Sequence, residues 1–414
     1  MKIGILTYHC VPNFGAQLQT LSTFCYLRNI GHDPVVLNWY PKDLEDIYKQ
    51  IPLEQISAHN EYCDKFYTMS SLCRTESDLV KEIDSLNLDA IILGSDALFK
   101  YVPLRKRWYF KMGKYKPRMV FVKVPIVEKL CANPFFGGFI DGLNKRIPVS
   151  VYAVSAQNTQ FLKMIRREKK MMKSFLSNFK MISVRDIWTK QMVESVMEIS
   201  NVNIYPDPVF AFNQNVANLI PTKETILDKF NIKGKYILLS FRTHHCSDEY
   251  IQSIAEEIRK EGFIPISLTM PEGIRCDALE NVITTPLSPM DWYALIKYSS
   301  GYIGERMHPI IVSLHNSVPC FVFDEYGCQD TAKIILPRPI KYTVDSSKIY
   351  HIMKEADLLE CWHSYLMNKY LPTPKEVMQK ILKCSNDKCT KFSKIQYTKY
   401  LDGMSSILES IVNS

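Results

Sequence analysis

The sequence predicts an α/β protein of two Rossmann-like domains whose parallel sheets face a cleft, followed by a C-terminal helical segment. Two observations carry that expectation. Apolar runs of strand length alternate with helical-period runs in both halves of the chain, the pattern of sheets built from βαβ units. Between the halves, Pro206-Asp207-Pro208 is a turn-rich stop, and a linker follows at about residues 212–222. The expected units are residues 1–215, 216–360 and 361–414.

In the first half, Lys2–Thr7 (KIGILT) reads as a buried strand, and a loop containing Asn13 and Gly15 leads into a helix over Ala16–Arg28, apolar at Leu18, Leu21, Phe24 and Leu27. Gly31-His32 ends that helix, and Val35-Val36-Leu37 begins a second strand. One glycine stands where the dinucleotide fingerprint needs three, which argues against a nucleotide-dependent dehydrogenase. Asp89–Leu93 is a strand ending in Gly94-Ser95-Asp96, and Val149–Val154 is another. An amphipathic helix over Phe161–Phe179 precedes the strand Met181–Val184, which ends in Arg185-Asp186, and Ile187–Met197 is helical.

The second half repeats the alternation. Strands are expected at Tyr236–Phe241, Phe263–Leu268, Tyr302–Gly304 and Pro319–Phe323, with helices at Asp248–Lys260, Pro289–Ser299 and Pro309–Asn316. Ser288 is a plausible N-cap for the second of these helices. The segment after about Glu360 reads as helical and polar.

A chain of 414 residues is long enough for two cores, and 46% hydrophobic and 23% charged residues are ordinary for a globular protein. The net charge of +8 comes without a long basic arm, so acidic small molecules, sugar phosphates or an anionic membrane surface fit better than nucleic acid. No signal-peptide pattern and no membrane-spanning apolar run is visible, and twelve irregularly spaced cysteines fit reduced thiols; the expected location is the cytoplasm. Cys361, His363, Cys384 and Cys389 match no common zinc spacing.

In such sheets ligands sit at the carboxyl ends of the strands, beside helix N-termini that attract anions. Five groups fall there. Glu305-Arg306-Met307-His308 is the sharpest: His308 directly precedes Pro309, which suits a first helical position, so Arg306 and His308 lie at a helix start. A cation, an imidazole and free N–H groups suit an anionic substrate needing proton transfer. Arg185 is either half of a surface ion pair with Asp186 or a guanidinium fork for a carboxylate or phosphate. Asp96, after Ser95, either orients a sugar hydroxyl or caps a following helix. Asn13/Gly15 and Arg242, after the Tyr236–Phe241 run, complete the set. His308 and Arg185 are the candidate catalytic residues; Arg306, Asn13, Gly15, Ser95, Asp96 and Arg242 are the candidate substrate contacts. A basic aromatic stretch, Arg105–Arg118, holds seven Lys/Arg and no acid. With the basic helix near residues 166–173, it suits an anionic membrane surface at the inner face or a lipid-linked acceptor.

Taken together, G-I-L-T-Y-H, N-F-G-A-x-L-Q, I-I-L-G-S-D, Y-A-V-S-A, I-S-V-R-D, D-P-V and R-M-H occur in an order that resembles the polysaccharide pyruvyl transferase family, over about residues 1–325. The resemblance implies a two-domain fold similar to GT-B glycosyltransferases. It also implies transfer of the enolpyruvyl carbon of phosphoenolpyruvate onto two hydroxyls of a glycan or lipid-linked sugar, as a cyclic ketal with release of phosphate. It places the family's strand-end arginine on Arg185 and its R-x-H histidine on His308. That chemistry needs anion clamps, an acid and a base, and no cofactor or metal is obligatory. Two positions depart from the family pattern. Ala97-Leu98-Phe99 replaces the usual Q-x-W, and the lysine that characterised members carry shortly after the strand here at Pro319–Phe323 is missing, Lys333 being the nearest. A nucleotide-sugar glycosyltransferase and a non-catalytic glycan- or partner-binding member are the alternative readings.

Overall fold

The computed structural model describes the chain except residues 113–116, 243–244, 326–327, 331–340, 345 and 414; for 108–112, 117, 328–330 and 341–343 only the backbone is described. Lys333 and residues 113–116 of the basic aromatic stretch therefore lie outside the described residues.

Sixteen strands form among the described residues. In the first half these are β1 (Lys2–Leu6), β2 (Asp33–Val36), β3 (Ala90–Leu93), β4 (Trp108–Met112), β5 (Pro117–Phe121), β6 (Val149–Val154), β7 (Met181–Val184) and β8 (Asn203–Ile204). The second half has β9 (Tyr236–Ser240), β10 (Ile264–Leu268), β11 (Val282–Ile283), β12 (Gly301–Gly304), β13 (Cys320–Asp324), β14 (Cys328–Asp330), β15 (Lys341–Thr343) and β16 (Trp362–Ser364). Two six-stranded sheets result, ordered β2-β1-β3-β6-β7-β8 and β11-β10-β9-β12-β13-β16. Every pairing within them is parallel. The strands are apolar runs buried on both faces, as parallel strands sandwiched by helices must be. The pairs β4–β5 and β14–β15 are separate antiparallel hairpins.

Three elements differ from the sequence reading. The expected linker at 212–222 opens with a short buried helix, Phe212–Asn215, because Phe212 packs its ring 4.4 Å from that of Tyr293 in the second domain. The expected helix over 161–179 splits into a 3₁₀ turn at Phe161–Lys163 and a helix at Arg166–Leu176. Beyond residue 360 the chain first adds β16 to the edge of the second sheet, where the alternation Trp362-His363-Ser364 pairs with Val322–Asp324. Only then do the helices Pro374–Lys383 and Asn386–Val412 follow.

The two domains are packed against each other rather than merely tethered. Phe14 meets Trp292 at 5.4 Å between centroids, and Gln55 exchanges hydrogen bonds with both main-chain groups of Leu287 at 2.8 and 3.0 Å. The long C-terminal helix spans the seam. Ser393 bonds the carbonyl of His315 on one side, Ser410 bonds Ser150 on the other, and Gly403 lies so close to Tyr205 that a methyl group there would meet the ring at 2.7 Å.

Candidate functional site

The cleft between the carboxyl ends of the two sheets holds a cavity of about 150 Å3, lined by Asn13, Gly15 and Asp96 from the first domain and by Glu272, Glu305, Arg306, His308 and Lys348 from the second. Met307 and Lys348 separate it from an annex of about 50 Å3 onto which Arg185, Asp186 and Asp207 open. Arg242 instead borders a more open cavity of about 430 Å3, with Glu272, Arg275, Asp277 and Arg306. The sequence candidates Asn13, Gly15, Asp96, Arg306 and His308 thus share one cavity, Arg185 opens beside it, and Arg242 lies outside it.

Helix geometry sets the first-domain wall. Asn13 is the N-cap of the helix Phe14–Asn29, its Oδ1 accepting from the Ala16 N–H at 3.2 Å. Gly15 is required because His308 leans on it: an added Cβ would sit 2.0 Å from Nδ1. Ser95 lies beneath the cavity with a fully occupied hydroxyl, donating to the Ala153 carbonyl at 2.8 Å. Asp96 caps no helix. It sits at φ +116°, in an isolated parallel bridge to Val154, with Oδ1 accepting from the Ala97 N–H at 2.7 Å.

Arg185 makes no surface pair with Asp186. Its side chain is 4% exposed and its Nη1 donates to Asp207, whose own side chain is 1% exposed. Asp186 instead N-caps the helix Ile187–Met197, accepting from the Thr189 N–H at 2.7 Å, because a strand-end aspartate reaches that amide more readily than it reaches back to Arg185. Asp207 also accepts from Gln19 Nε2 at 2.5 Å and from the Val209 N–H at 3.1 Å. Arg185 Nε and Nη2 are buried without a hydrogen bond, and Asp96 Oδ1 lies 3.7 Å from Nη2.

On the second-domain wall the helix starts at Met307, with Arg306 as N-cap and Pro309 in the third rather than the first position. Proline fits there because the N–H groups of the first turn have no partner within the helix. His308 Nε2 is buried without a hydrogen bond, 3.7 Å from Asp207 Oδ2. Burial lowers the imidazole pKa below its ordinary value, and the charges of Asp207 and Asp96 oppose the shift without cancelling it. Arg306 faces Glu272 at 3.7 Å. Arg242 is paired with Glu325, and its backbone N–H donates to Glu305 at 3.0 Å.

Lys348 lines the cavity and was missed by the sequence reading. It is the first residue of the helix Lys348–Glu355, whose N-cap Ser347 accepts from the Tyr350 N–H and donates to Asp324, the last residue of β13. A lysine sought directly after this strand in the sequence therefore arrives there from 24 positions on, after the β14–β15 hairpin. Burial, and then the guanidinium of Arg185, bring its ammonium down to about 8, against the pull of Asp186, Asp96 and Asp207. The available signal was the Ser-Ser-Lys start of an amphipathic run.

Among the described residues no three His, Cys, Asp or Glu side chains are arranged to hold a metal ion, and no helix is long and apolar enough to cross a membrane.

Comparisons with known proteins agree with this fold. The whole chain superposes on UDP-GlcNAc 2-epimerase from Neisseria meningitidis bound to UDP-GlcNAc (TM-score 0.53, 10% identity, 100% of each chain covered). It also superposes on Arabidopsis thaliana UGT89C1 complexed with UDP (TM-score 0.52, 10% identity, 99% of each chain) and on the spinosyn forosaminyltransferase SpnP (TM-score 0.51, 10% identity, 100% of each). At such identity these likenesses establish the fold, that of GT-B glycosyltransferases and related epimerases. No curated protein matches the sequence. The family model for polysaccharide pyruvyl transferase matches residues 13–325, from the N-cap of the first cleft helix to just beyond β13, and the chain belongs to that family.

Proposed function

We propose that the protein moves the enolpyruvyl carbon of phosphoenolpyruvate onto a sugar of a polysaccharide or its precursor, forming a cyclic ketal and releasing phosphate. The observation that carries this reading is the convergence of Arg185, His308 and Lys348 on one small cavity and its annex, with buried nitrogens of the first two left without hydrogen bonds. Buried donors without partners are rare, and a ligand that accepts from them is the direct explanation. Phosphoenolpyruvate offers a phosphate and a carboxylate to match two cations and the amides of the helix start at Met307. The enclosed space of about 150 Å3 is smaller than the roughly 300–1,000 Å3 that drug-sized ligands occupy, which favours a compact anion over a nucleotide sugar.

In this proposal Arg185, held by Asp207, and Lys348 clamp the donor's anionic groups, and Arg306 and Asp96 border the reacting carbon. Lys348 takes the part that the family resemblance assigns to a lysine after β13. His308 is the acid. In the free protein its lowered pKa leaves it neutral near pH 7, and a bound trianion beside it restores the proton it must donate. Residues 1–215 act as the first domain, 216–364 as the second, since β16 completes its sheet, and the helices from Pro374 onward as the tail. The acceptor is presented at the inner face of a membrane, with the basic segment around Arg105–Arg107 touching anionic lipid.

Thermal unfolding with added ligand tests the donor. Phosphoenolpyruvate at a hundredfold excess over its dissociation constant should stabilise the protein by about 2.7 kcal/mol. A larger shift with a uridine or guanosine diphosphate sugar would replace this reading by nucleotide-sugar transfer. No shift with either would leave a non-catalytic role.

A further inference from the structure

Ketal formation needs a base as well as an acid, and Arg185, Lys348 and His308 supply none that is both anionic and free. Of the carboxylates lining the main cavity, Glu305 gives its oxygens to Tyr365 OH at 2.7 Å and to the Arg242 N–H at 3.0 Å, and Asp96 gives Oδ1 to the Ala97 N–H. Glu272 differs. Its Oε1 faces Arg306 Nη2 at 3.7 Å, while Oε2 is buried with no hydrogen-bond partner.

The position of Glu272 is as telling as its free oxygen. It stands in the turn after β10, closed by the Gly273 N–H donating to the Met270 carbonyl at 2.8 Å and the Met270 N–H donating to Ile274 at 2.9 Å, with Gly273 at φ +80°. The backbone that carries it is therefore fixed. Glu272 and Arg306 are the two residues common to the main cavity and the open cavity beside it.

The open cavity suits a polyhydroxyl ligand better than a second anion. Arg242, Arg275 and Arg306 line it, but each is balanced by an acid: Glu325, Asp277 at 2.5 Å and Glu272 respectively. Planar guanidinium and carboxylate groups of both signs bind pairs of hydroxyls without demanding net charge.

We propose that Glu272 is the general base of the transfer, and that the open cavity bounded by Arg242, Arg275 and Asp277 seats the acceptor sugar. This rests on the phosphoenolpyruvate reading above. The acceptor's first hydroxyl gives its proton to Glu272 Oε2 as its oxygen bonds to C2 of the donor. The C2–C3 double-bond pair takes a proton from protonated His308, leaving a methyl group. The C2–O bond to phosphate then breaks, its electron pair leaving with the phosphate, and the second hydroxyl bonds to C2. That hydroxyl's proton returns to His308, and Glu272 passes its proton to the departing phosphate.

The test compares wild type with Glu272→Gln and Glu272→Ala. Two readouts are used: the thermal shift given by phosphoenolpyruvate, and phosphate release with methyl pyranosides of glucose, galactose, mannose and their N-acetylamino counterparts. The expected result is an undiminished donor shift in both variants and release by wild type with at least one glycoside. Turnover should fall about 10²- to 10⁴-fold in both variants, the range for a lost general base, with partial recovery of Glu272→Ala in formate. Turnover of Glu272→Gln within threefold of wild type would overturn the base. A normal donor shift with no release from any glycoside would overturn the sugar seat. Absence of a donor shift in wild type would instead remove the donor reading on which both depend.

Discussion

The two walls of the cleft differ in which buried polar atoms lack a partner: those of a guanidinium and an amide on the first-domain wall, and those of an imidazole, a carboxylate and a hydroxyl on the second. Asp207 gathers Arg185, Gln19 and the Val209 amide, Ser155 bonds Asp186 at 2.6 Å, and Thr7 bonds the Ser95 carbonyl at 3.0 Å. Left over on that wall are Arg185 Nε and Nη2 and Gln19 Oε1. Opposite, His308 Nε2, Glu272 Oε2 and Ser346 Oγ are all buried and unbonded. A wall whose spare atoms belong to an always-charged guanidinium held by Asp207 can hold an anion, and a wall whose spare atoms include an imidazole and a carboxylate can exchange protons with a ligand. In the proposed reaction the first domain therefore positions the donor and the second transfers protons.

The largest expected effect breaks the second wall. His308→Ala should lower turnover by about 10²- to 10⁴-fold while leaving the unfolding midpoint near that of wild type, since the imidazole makes no hydrogen bond through Nε2. Steady-state phosphate release and urea denaturation together check it. Unchanged turnover in a folded variant would remove His308 from the chemistry.

Breaking the first wall should show chiefly in stability. Asp207→Ala leaves the Arg185 guanidinium buried with Asp96 at 3.7 Å as its remaining acid, and loss of one partner of such a pair costs about 3–5 kcal/mol. Arg185→Ala in turn leaves the buried Asp207 carboxylate with only Gln19 and the Val209 N–H, so it should destabilise by a comparable amount, and it alone should also weaken donor binding directly, by about 1.5–3 kcal/mol for a lost charged hydrogen bond. Calorimetric titration with phosphoenolpyruvate separates the two variants. Equal donor affinity in Arg185→Ala and wild type would show that the arginine serves the fold alone.

Most of the fold was legible because parallel strands are short apolar runs with sharp polar ends. The strands at 149–154 and 181–184 and the helices at 187–197 and 248–260 fall where the periodicity puts them, and Ser288 caps its helix by accepting from the Asp291 N–H. The helix at 14–29 was found despite carrying no polar face: nearly all of its residues are buried, because it lies in the seam between the domains. What escaped is residues whose role is set by distant partners. Gln19 looks like any polar helix residue until Asp207 is folded onto it. Lys348 stands far beyond β13 in the chain and is brought back by Ser347. Glu272 lies in a turn with no periodic signal at all.

Lys348 ties the two walls together, and its titration sharpens the comparison. Its folded value of about 8 lies below the 10.5 of an unfolded lysine, so between these values the unfolded chain binds more protons, and the free protein should gain stability as pH rises across that window. Donor affinity should move the opposite way, falling as pH rises through about 8 and the ammonium discharges. Lys348→Met should flatten both dependences. Donor affinity that stays constant from pH 7 to 9.5 in wild type would place Lys348 away from the anion.

The smallest effect expected lies outside the cleft, on the first domain alone. Leu104, Met119 and Leu162 are 40%, 61% and 74% exposed beside Arg105, Lys106, Arg107 and Lys163. Lys163 is brought down to about 8 by burial, and then by its contact with the like-charged Lys106. Two ammonium groups held together beside exposed apolar side chains oppose each other in water, and an anionic headgroup between them would relieve the repulsion while the apolar residues enter the interface. The charges are neutralised together in Arg105→Gln/Lys106→Gln/Arg107→Gln, where each basic residue near such a surface is worth about 1 kcal/mol. Wild type should sediment with phosphatidylglycerol vesicles at low salt and not with phosphatidylcholine. Binding should weaken as added salt shortens the screening length toward about 8 Å, and the triple variant should bind clearly less. Because none of the three residues lines the cleft, the variant's response to phosphoenolpyruvate should match wild type, which separates where the protein sits from what its two walls do. Indifference of wild type to anionic vesicles at low salt would end the membrane assignment and leave the comparison between the walls intact.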